Sequence, residues 1–552
     1  MKIKGFLIKK GIQCLKDYGP KELLIRMTEK LHQDAVPYDA WYQEHRCTEK
    51  QLDEQRTIVN GWEECPLISI CVPLYKTPEK YFCEMIESVQ GQSYTNWQLC
   101  LADGSPTNSL EKVLQEKYGE EKRIKYQFLE KNLGIADNTN AAFALAEGAW
   151  ITLLDHDDVL APEALYEIIA SAKLNTTQEA DVVYSDEDKI TEDLQKHFGP
   201  HFKPDYNLDL LRSNNYITHL FAVKKEIVEC VGGFRKDFDG SQDHDFILRC
   251  TDVAKKIVHV PQILYHWRTS ENSTAENPAS KMYAFDAGKR AVEAHLAAHG
   301  IKGEVTHTRS LGFYRVKYEV QGTPMISIIV CGKKCPKKME KSTYKNYEIL
   351  YTDNKVTSIN QCMKTMTKGD YIILIAEEAK ILEPNWMEEL LGHCQRREVA
   401  VAGTKILKKN GRVLSAGQVI GGASLINDLF YDTPGEYYGY FHLASLQTAY
   451  SAVSGNCLML KKSVFEKVDG LGEEYEEFST AILDYCLKVQ KNDYKVVYTP
   501  YACVKMCVTD TSRAINKSDK EKLLEKWEEL KQPDPNYNPN LILEPAKYAL
   551  KI

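Results

Sequence analysis

The sequence predicts an α/β protein: two successive doubly wound, mostly parallel sheets behind an N-terminal helical segment. Three observations carry this expectation. Short apolar runs alternate with amphipathic stretches from residue 66 to residue 154. Two of those runs stop at aspartates, and the carboxyl ends of strands are where an open α/β sheet presents ligand-binding groups. From Pro324 the pattern begins again.

A chain of 552 residues has room for two or three domains. Its net charge of −8 argues against nucleic acid as a partner. Sixteen cysteines without a C-x-x-C pair suggest reduced thiols in a cytoplasm. No apolar run approaches a membrane span. The start, MKIKGFLIKKGIQCLKDYG, carries lysines inside its apolar stretch and does not read as a signal peptide. Lys2, Lys4, Lys9, Lys10 and Lys16 interleave with Phe6, Leu7, Ile8, Ile12 and Leu15. Such a helix either packs on its own domain or makes peripheral contact with an anionic membrane, and both readings stay open.

Taken in order, residues 1–65 read as a helical segment with Tyr38-Asp39-Ala40-Trp41-Tyr42 as an aromatic anchor. Leu67 to Pro73 is a buried strand. Glu79 to Gln90 has a helical stripe of Phe82, Met85, Ile86 and Val89. A second strand runs from Trp97 into Asp103-Gly104, and Ile124 to Leu129 is a third. Ala136 to Glu147 is an alanine-rich helix. The fourth strand, residues 150–154, ends at Asp155-His156-Asp157-Asp158, and Pro162 suits the first turn of the next helix.

Asp155 and Asp157 can turn toward one hard cation, Mg²⁺ or Mn²⁺, which would bridge to phosphate oxygens. The plainer reading is a solvated acidic turn. A metal phosphohydrolase would carry the His156-Asp157 pair on a helix, not after a strand. Asp103 can accept hydrogen bonds from a base or ribose hydroxyl, or can simply be a turn aspartate. Asn132-Leu133-Gly134 and Asn138-Thr139-Asn140 lead into a helix whose N–H groups could meet phosphate. Ala180 to Asp188 reads as a strand ending in acids. Asp245 reads as a helix cap, with Asp243 either just outside the helix in the cleft or another turn residue. His266, in the strand Ile263 to Arg268, is a ligand or a satisfied core histidine.

Residues 66–275 resemble an inverting glycosyltransferase of family 2 with the nucleotide-sugar-binding GT-A fold. Nine segments carry the resemblance in order: ISICVPLYKTP, LADGS, KNLGIADNTNAA, ITLLDHDDVLAPEAL, VVYSDEDKI, FKPDYNLDLLRSNNYI, VGGFR, GSQDHDFILR and YHWR. The pattern is most similar to bacterial two-domain enzymes of cell-surface polysaccharide assembly, including the rhamnan type. The resemblance implies donor contacts at Pro73, Tyr75, Asp103, Asn132, Gly134, Asn140, Asp155 and Arg268. It implies a D-x-D motif at Asp155 and Asp157, with His266 as a further metal ligand, and Asp243 as general base. Gln242 stands where the family often has glutamate. The implied cofactor is Mn²⁺ or Mg²⁺, the donor a UDP- or dTDP-sugar, and the acceptor a glycan or lipid-linked glycan, in a cytoplasmic enzyme.

The second copy keeps the strands and loses the chemistry. Met325 to Val330 echoes Leu67 to Val72, Tyr347 to Asn354 echoes the Asp103 strand, and Gly369 to Ile375 echoes Gly148 to Leu154. Ala376-Glu377-Glu378-Ala379 replaces the acidic turn, Ile482 replaces Asp243, and Val504 to Cys507 holds no histidine. Glu378 alone could still ligate a metal. The expected division is a helical segment at 1–65, a catalytic domain at 66–300 and a connector at 301–323. A degenerate domain at 324–510 and a terminal helix and tail at 511–552 complete it. A non-catalytic scaffold in polysaccharide assembly, and a metal-dependent hydrolase, are the competing functions.

Overall fold

The computed structural model describes residues 38–173, 179–269, 282–507 and 515–551, with single positions at 15, 20, 23 and 27. Apart from Leu15, the lysine-laced stretch of residues 2–16 lies outside the described residues. Two units divide the structure. One comprises Tyr38–Tyr206 and Asn214–Arg315; the other contains Asn207–Ser213 and Val316–Ile552.

The first unit is built on a nine-stranded sheet. Its strands are β1 (Ile68–Leu74), β2 (Trp97–Asp103), β3 (Ile124–Phe128), β4 (Trp150–Leu153), β5 (Val159–Leu160), β6 (Val182–Thr191), β7 (His197–His201), β8 (Phe221–Lys224) and β9 (Ile257–Thr269). The order is β3-β2-β1-β4-β8-β6-β9-β5, with β7 on β6. Helices cover both faces, so β2 is buried at every residue and reads as a continuous apolar run rather than an alternating one.

The sheet is mixed, with most of its paired residues in parallel pairings, β6 with β9 among them. β3, β2, β1 and β4 run parallel, but β8 is antiparallel to both β4 and β6. Parallel neighbours need long helical crossovers, which the Glu79–Gln90, Ser109–Tyr118 and Ile135–Ala144 helices supply. Beyond β4 antiparallel strands enter the sheet, while β6 and β9 are again parallel, with the helix Gln242–Val253 between them in the chain.

The second unit repeats this order with one strand fewer at the edge. Tyr347–Thr352, Ile326–Cys331, Tyr371–Ala376, Cys457–Lys461, Val399–Leu407, Lys495–Met506 and Ala379–Ile381 lie side by side in that sequence. Register makes the copies superimposable in detail. Ile68 opposes Trp97 and Trp150, as Ile326 opposes Tyr347 and Tyr371. Gly148 N donates to Ser69 Oγ at 2.9 Å, and Gly369 N to Ser327 Oγ at 2.8 Å. A Cβ on Gly148 would sit 2.6 Å from Leu67 O, and one on Gly369 2.5 Å from Met325 O, so only glycine admits the first strand so closely. Tyr94 Oη donates to Pro66 O and Tyr344 Oη to Pro324 O, the same brace twice.

Among the described residues, no helix is long and apolar enough to cross a membrane.

Candidate functional site

The acidic turn stands where β4 ends. Its three carboxylates have different surroundings. Asp158 is fully buried; it accepts from Tyr265 Oη at 2.6 Å and from Arg268 N at 2.8 Å. Burial first, and the Asp155 and Asp157 charges next, push its carboxyl well above the usual range. Asp158 therefore ties the turn to β9. Asp155 opens outward, with about half of its side chain exposed (52%). Desolvation raises its carboxyl, and the charges of Asp157 and Asp243 add to this, while His219 and His156 pull it down. Asp157 is half-buried.

Arg268 holds the turn by its main chain. Its Nε donates to Asp157 O, and Nη1 donates to Glu84 at 2.6 Å and to Glu192 O at 2.9 Å. The guanidinium also stacks over Tyr81 at 4.4 Å. Arg268 is thus a buried brace of the turn, and only Nη2 lacks a hydrogen-bond partner.

Asp243 lies inside a helix, Gln242–Val253, not before it. The helix begins three residues earlier than the sequence suggested, because Asp245 does not cap it. Asp245 is buried, and both its oxygens bind the guanidinia of Arg235 and Arg249. Asp243, in the first turn, accepts from Asn215 Nδ2 at 2.8 Å. It is close enough to Asp155 for its charge to act on that group.

The expected donor contacts separate into several places. Asp103 is buried at the end of β2, accepting from Ser105 N and Tyr126 Oη, each at 2.8 Å. Pro73 is half-buried in β1, and Tyr75 stands exposed (40%) beyond it. Asn132 Oδ1 accepts from Gly134 N and Asn138 Nδ2. Gly134 takes φ +97°, and a Cβ there would meet Asp239 Oδ2 at 2.8 Å. Asp239 Oδ1 accepts from Ala136 N at 3.2 Å, so a carboxylate of the chain already sits at the helix terminus expected to meet phosphate. Asn140 clamps Phe234, donating to its carbonyl and accepting from its N–H, both at 2.9 Å. Asn360 clamps Leu471 identically in the second unit. The same clamp in both units ties the Asn140 amide to the scaffold.

His266 is not brought to the acidic turn as a third ligand. It is buried, its Nδ1 2.6 Å from Asp188 Oδ1 and its Nε2 3.0 Å from Tyr42 Oη. Asp188 also binds His197 at 2.9 Å and Tyr38 Oη at 2.7 Å. Among the described residues, Asp188, His197 and His266 form one convergent group, and neither Asp155 nor Asp157 belongs to it. The acids of β6 are not a strand end either: the strand continues to Thr191. Each acid takes histidines instead. Asp186 binds His259, Glu187 binds His201 and His219, and Asp188 binds His197 and His266.

The histidine that does face the turn is His219, which the sequence reading missed. Its Nε2 lies 3.8 Å from Asp155 Oδ2, its Nδ1 3.0 Å from Glu187, and its ring stacks on Tyr265 at 4.4 Å. Although burial lowers it, the Glu187, Asp155 and Asp158 carboxylates raise it to about 9. The segment FKPDYNLDLLRSNNYI ends at Ile217, immediately before Thr218-His219. Only that adjacency could have signalled it.

Residues 69–232 match the family model described as Glycosyl transferase family 2. The chain is 33% identical over 575 residues to an uncharacterised protein, y4gI, of Sinorhizobium fredii, covering 94% of this chain and 62% of that one. It is 31% identical over 473 residues to O-antigen biosynthesis protein RfbC of Myxococcus xanthus, covering 79% of this chain and 37% of that one. It therefore spans less than two thirds of the length of either relative. Among solved structures, S. aureus TarS 1-349 is similar over 42% of this chain and 65% of that chain, at 19% identity and a TM-score of 0.33.

Proposed function

We propose that this chain, which carries a glycosyltransferase family 2 domain in residues 69–232, transfers a sugar from a nucleotide-sugar donor to a hydroxyl of a surface polysaccharide or lipid-linked glycan, with inversion. The observation that carries the reading is the family match over residues 69–232 with Asp155 and Asp157 standing at the carboxyl end of β4, and Asp243 near enough for its charge to act on Asp155. One region then holds a pair of carboxylates for a hard cation and a third for a proton. The O-antigen name of the Myxococcus xanthus relative supports the polysaccharide acceptor.

The donor set fits Mn²⁺ or Mg²⁺. Asp155 is open, Asp157 half-buried, and the cation would be ligated by oxygens alone, as hard divalent ions prefer. When bound, such an ion neutralises the diphosphate leaving group as negative charge develops on it. Arg268 keeps the turn in shape through the Asp157 carbonyl. Asp103 closes the β2 end, where a base or ribose would lie. His219 adds a positive charge beside Asp155. Asp243 accepts the proton from the acceptor hydroxyl as that oxygen attacks the anomeric carbon. Asn215 orients Asp243 through its amide. Attack opposite the nucleotide inverts the anomeric centre without a covalent intermediate.

The second unit is proposed as non-catalytic. Register sets Ala376 at the position of Asp155, Glu378 at that of Asp157 and Lys505 at that of His266. Glu377 turns back and accepts from the N–H groups of Lys333 and Lys334 at 2.6 and 2.9 Å. Asp484 repeats the Asp245 anchor with Lys488 one turn on, which leaves the buried Ile482 in the place of Asp243.

The test is turnover of candidate UDP- and dTDP-sugars with Mn²⁺ or Mg²⁺. Slow donor hydrolysis without acceptor, and transfer with one, is the expected result; no turnover of any donor would leave the scaffold reading.

A further inference from the structure

A cluster of metal-binding side chains lies away from the acidic turn, on the helix that carries Asp243. Asp252 sits near the end of the Gln242–Val253 helix, nine residues and about 13 Å along the axis from Asp243. His295 lies in the last turn of the Met282–Ala298 helix, and His299 follows one turn later. That spacing puts both imidazoles on one face.

The two rings converge on a single atom. His295 Nδ1 is 3.1 Å and His299 Nε2 3.0 Å from Asp252 Oδ2. The ring centroids are 4.6 Å apart. Around a tetrahedral zinc with bonds of about 2.0–2.2 Å, ligand atoms stand about 3.4 Å apart, so a few tenths of an ångström of outward movement makes room for an ion. His295 is buried (2%), while Asp252 (21%) and His299 (42%) reach solvent, which gives an entry path and an open position for water. A cationic residue at a helix C-terminus favours the dipole, but that explains one histidine there, not two aimed at one oxygen.

The Asp188–His197–His266 group differs in this respect. Its imidazoles take opposite oxygens of Asp188, and Tyr38 and Tyr42 close it off as a hydrogen-bonded network.

We propose that Asp252, His295 and His299 form a second divalent-cation site that takes zinc or a similar borderline ion and clamps the Gln242–Val253 helix to the Met282–Ala298 helix. A donor set of two nitrogens and one oxygen suits Zn²⁺ and not Mg²⁺, which distinguishes it from the oxygen-only acidic turn. The site stands whether or not Asp243 is the base.

The experiment is titration of the full chain with zinc by calorimetry and with cobalt(II) by visible spectroscopy, with the melting temperature as a second readout. The wild-type chain should bind one equivalent at this site, melt higher with zinc, and show cobalt d–d bands without thiolate charge transfer. His299→Ala, at an exposed position that spares the fold, should weaken zinc at least about tenfold and remove those bands. Asp252→Asn should do the same, and Asp157→Ala should not. An unchanged zinc affinity in His299→Ala, a cobalt spectrum of thiolate type, or no zinc binding by the wild-type chain would each overturn the proposal.

Discussion

Asp157 has a half-buried side chain and a main chain held by the fold, and the two can be separated. Arg268 grips the Asp157 carbonyl oxygen, which every residue has. Asp157→Ala should therefore keep its circular dichroism and melting profile while losing Mn²⁺-assisted binding of nucleotide sugars in calorimetry; intact binding would remove the metal from this turn. Asn215 lies one step back from the proposed chemistry. Its amide donates to the Asp243 carboxylate. A charge-assisted bond of about 1.5–3 kcal/mol implies that Asn215→Ala lowers kcat roughly 10- to 100-fold. KM for the donor should stay put, and Asn215→Asp should fail to rescue, since it cannot donate. A uniform rise in KM with kcat unchanged would show a binding role instead. At this scale the sequence singled out Asp103 and Asp155, which stand at the ends of β2 and β4, because carboxylates after apolar runs suggest a ligand edge. It concealed His219, whose partners Glu187 and Asp155 lie 32 and 64 residues away.

The strand β6 shows why elements are harder to read than residues. Asp186, Glu187 and Asp188 looked like the polar end of a strand, yet they are buried in its middle. Buried acids need partners, and theirs come from β7, β9 and the chain around His219, which no local periodicity reports. The helix Leu208–Ser213 is another such element. In the unit it shares with the second sheet, Asp209 meets Arg396 through two nitrogens, one bond being 3.1 Å, and both residues are buried. Burial alone would raise the Asp209 carboxyl, but the Arg396 guanidinium outweighs it and holds it at about 2. A carboxylate depressed on folding stabilises above its unfolded value of about 4 and loses that contribution as pH falls toward 2. Acid unfolding followed between those pH values should show this loss, and Asp209→Asn should flatten it. Arg396→Met should lower the unfolding free energy at pH 7 by about 3–5 kcal/mol, because it strands a buried charge. A change under 1 kcal/mol in denaturant titration would contradict the assignment.

Across the whole molecule, two sheets of one order carry different surfaces at their strand ends. The restart at Pro324 was legible because the apolar strands were kept. The bonds that make the copies equivalent were less so: the Tyr94 and Tyr344 braces, the Gly148 and Gly369 contacts and the Asn140 and Asn360 clamps emerge only once the strands are in register. These retained features define the scaffold. What differs, Asp155 against Ala376 and Asp243 against Ile482, is where the proposed chemistry lies.

Turnover with a matched donor and acceptor, compared between two variants, tests this division most directly. Asp243→Asn is nearly isosteric and should leave donor binding intact while lowering transfer by about 100-fold or more. Changing Glu377 and Glu378 together to Gln should leave transfer near the wild-type rate. A dead glutamate variant beside an active Asp243→Asn would put the active site in the second unit and contradict the account.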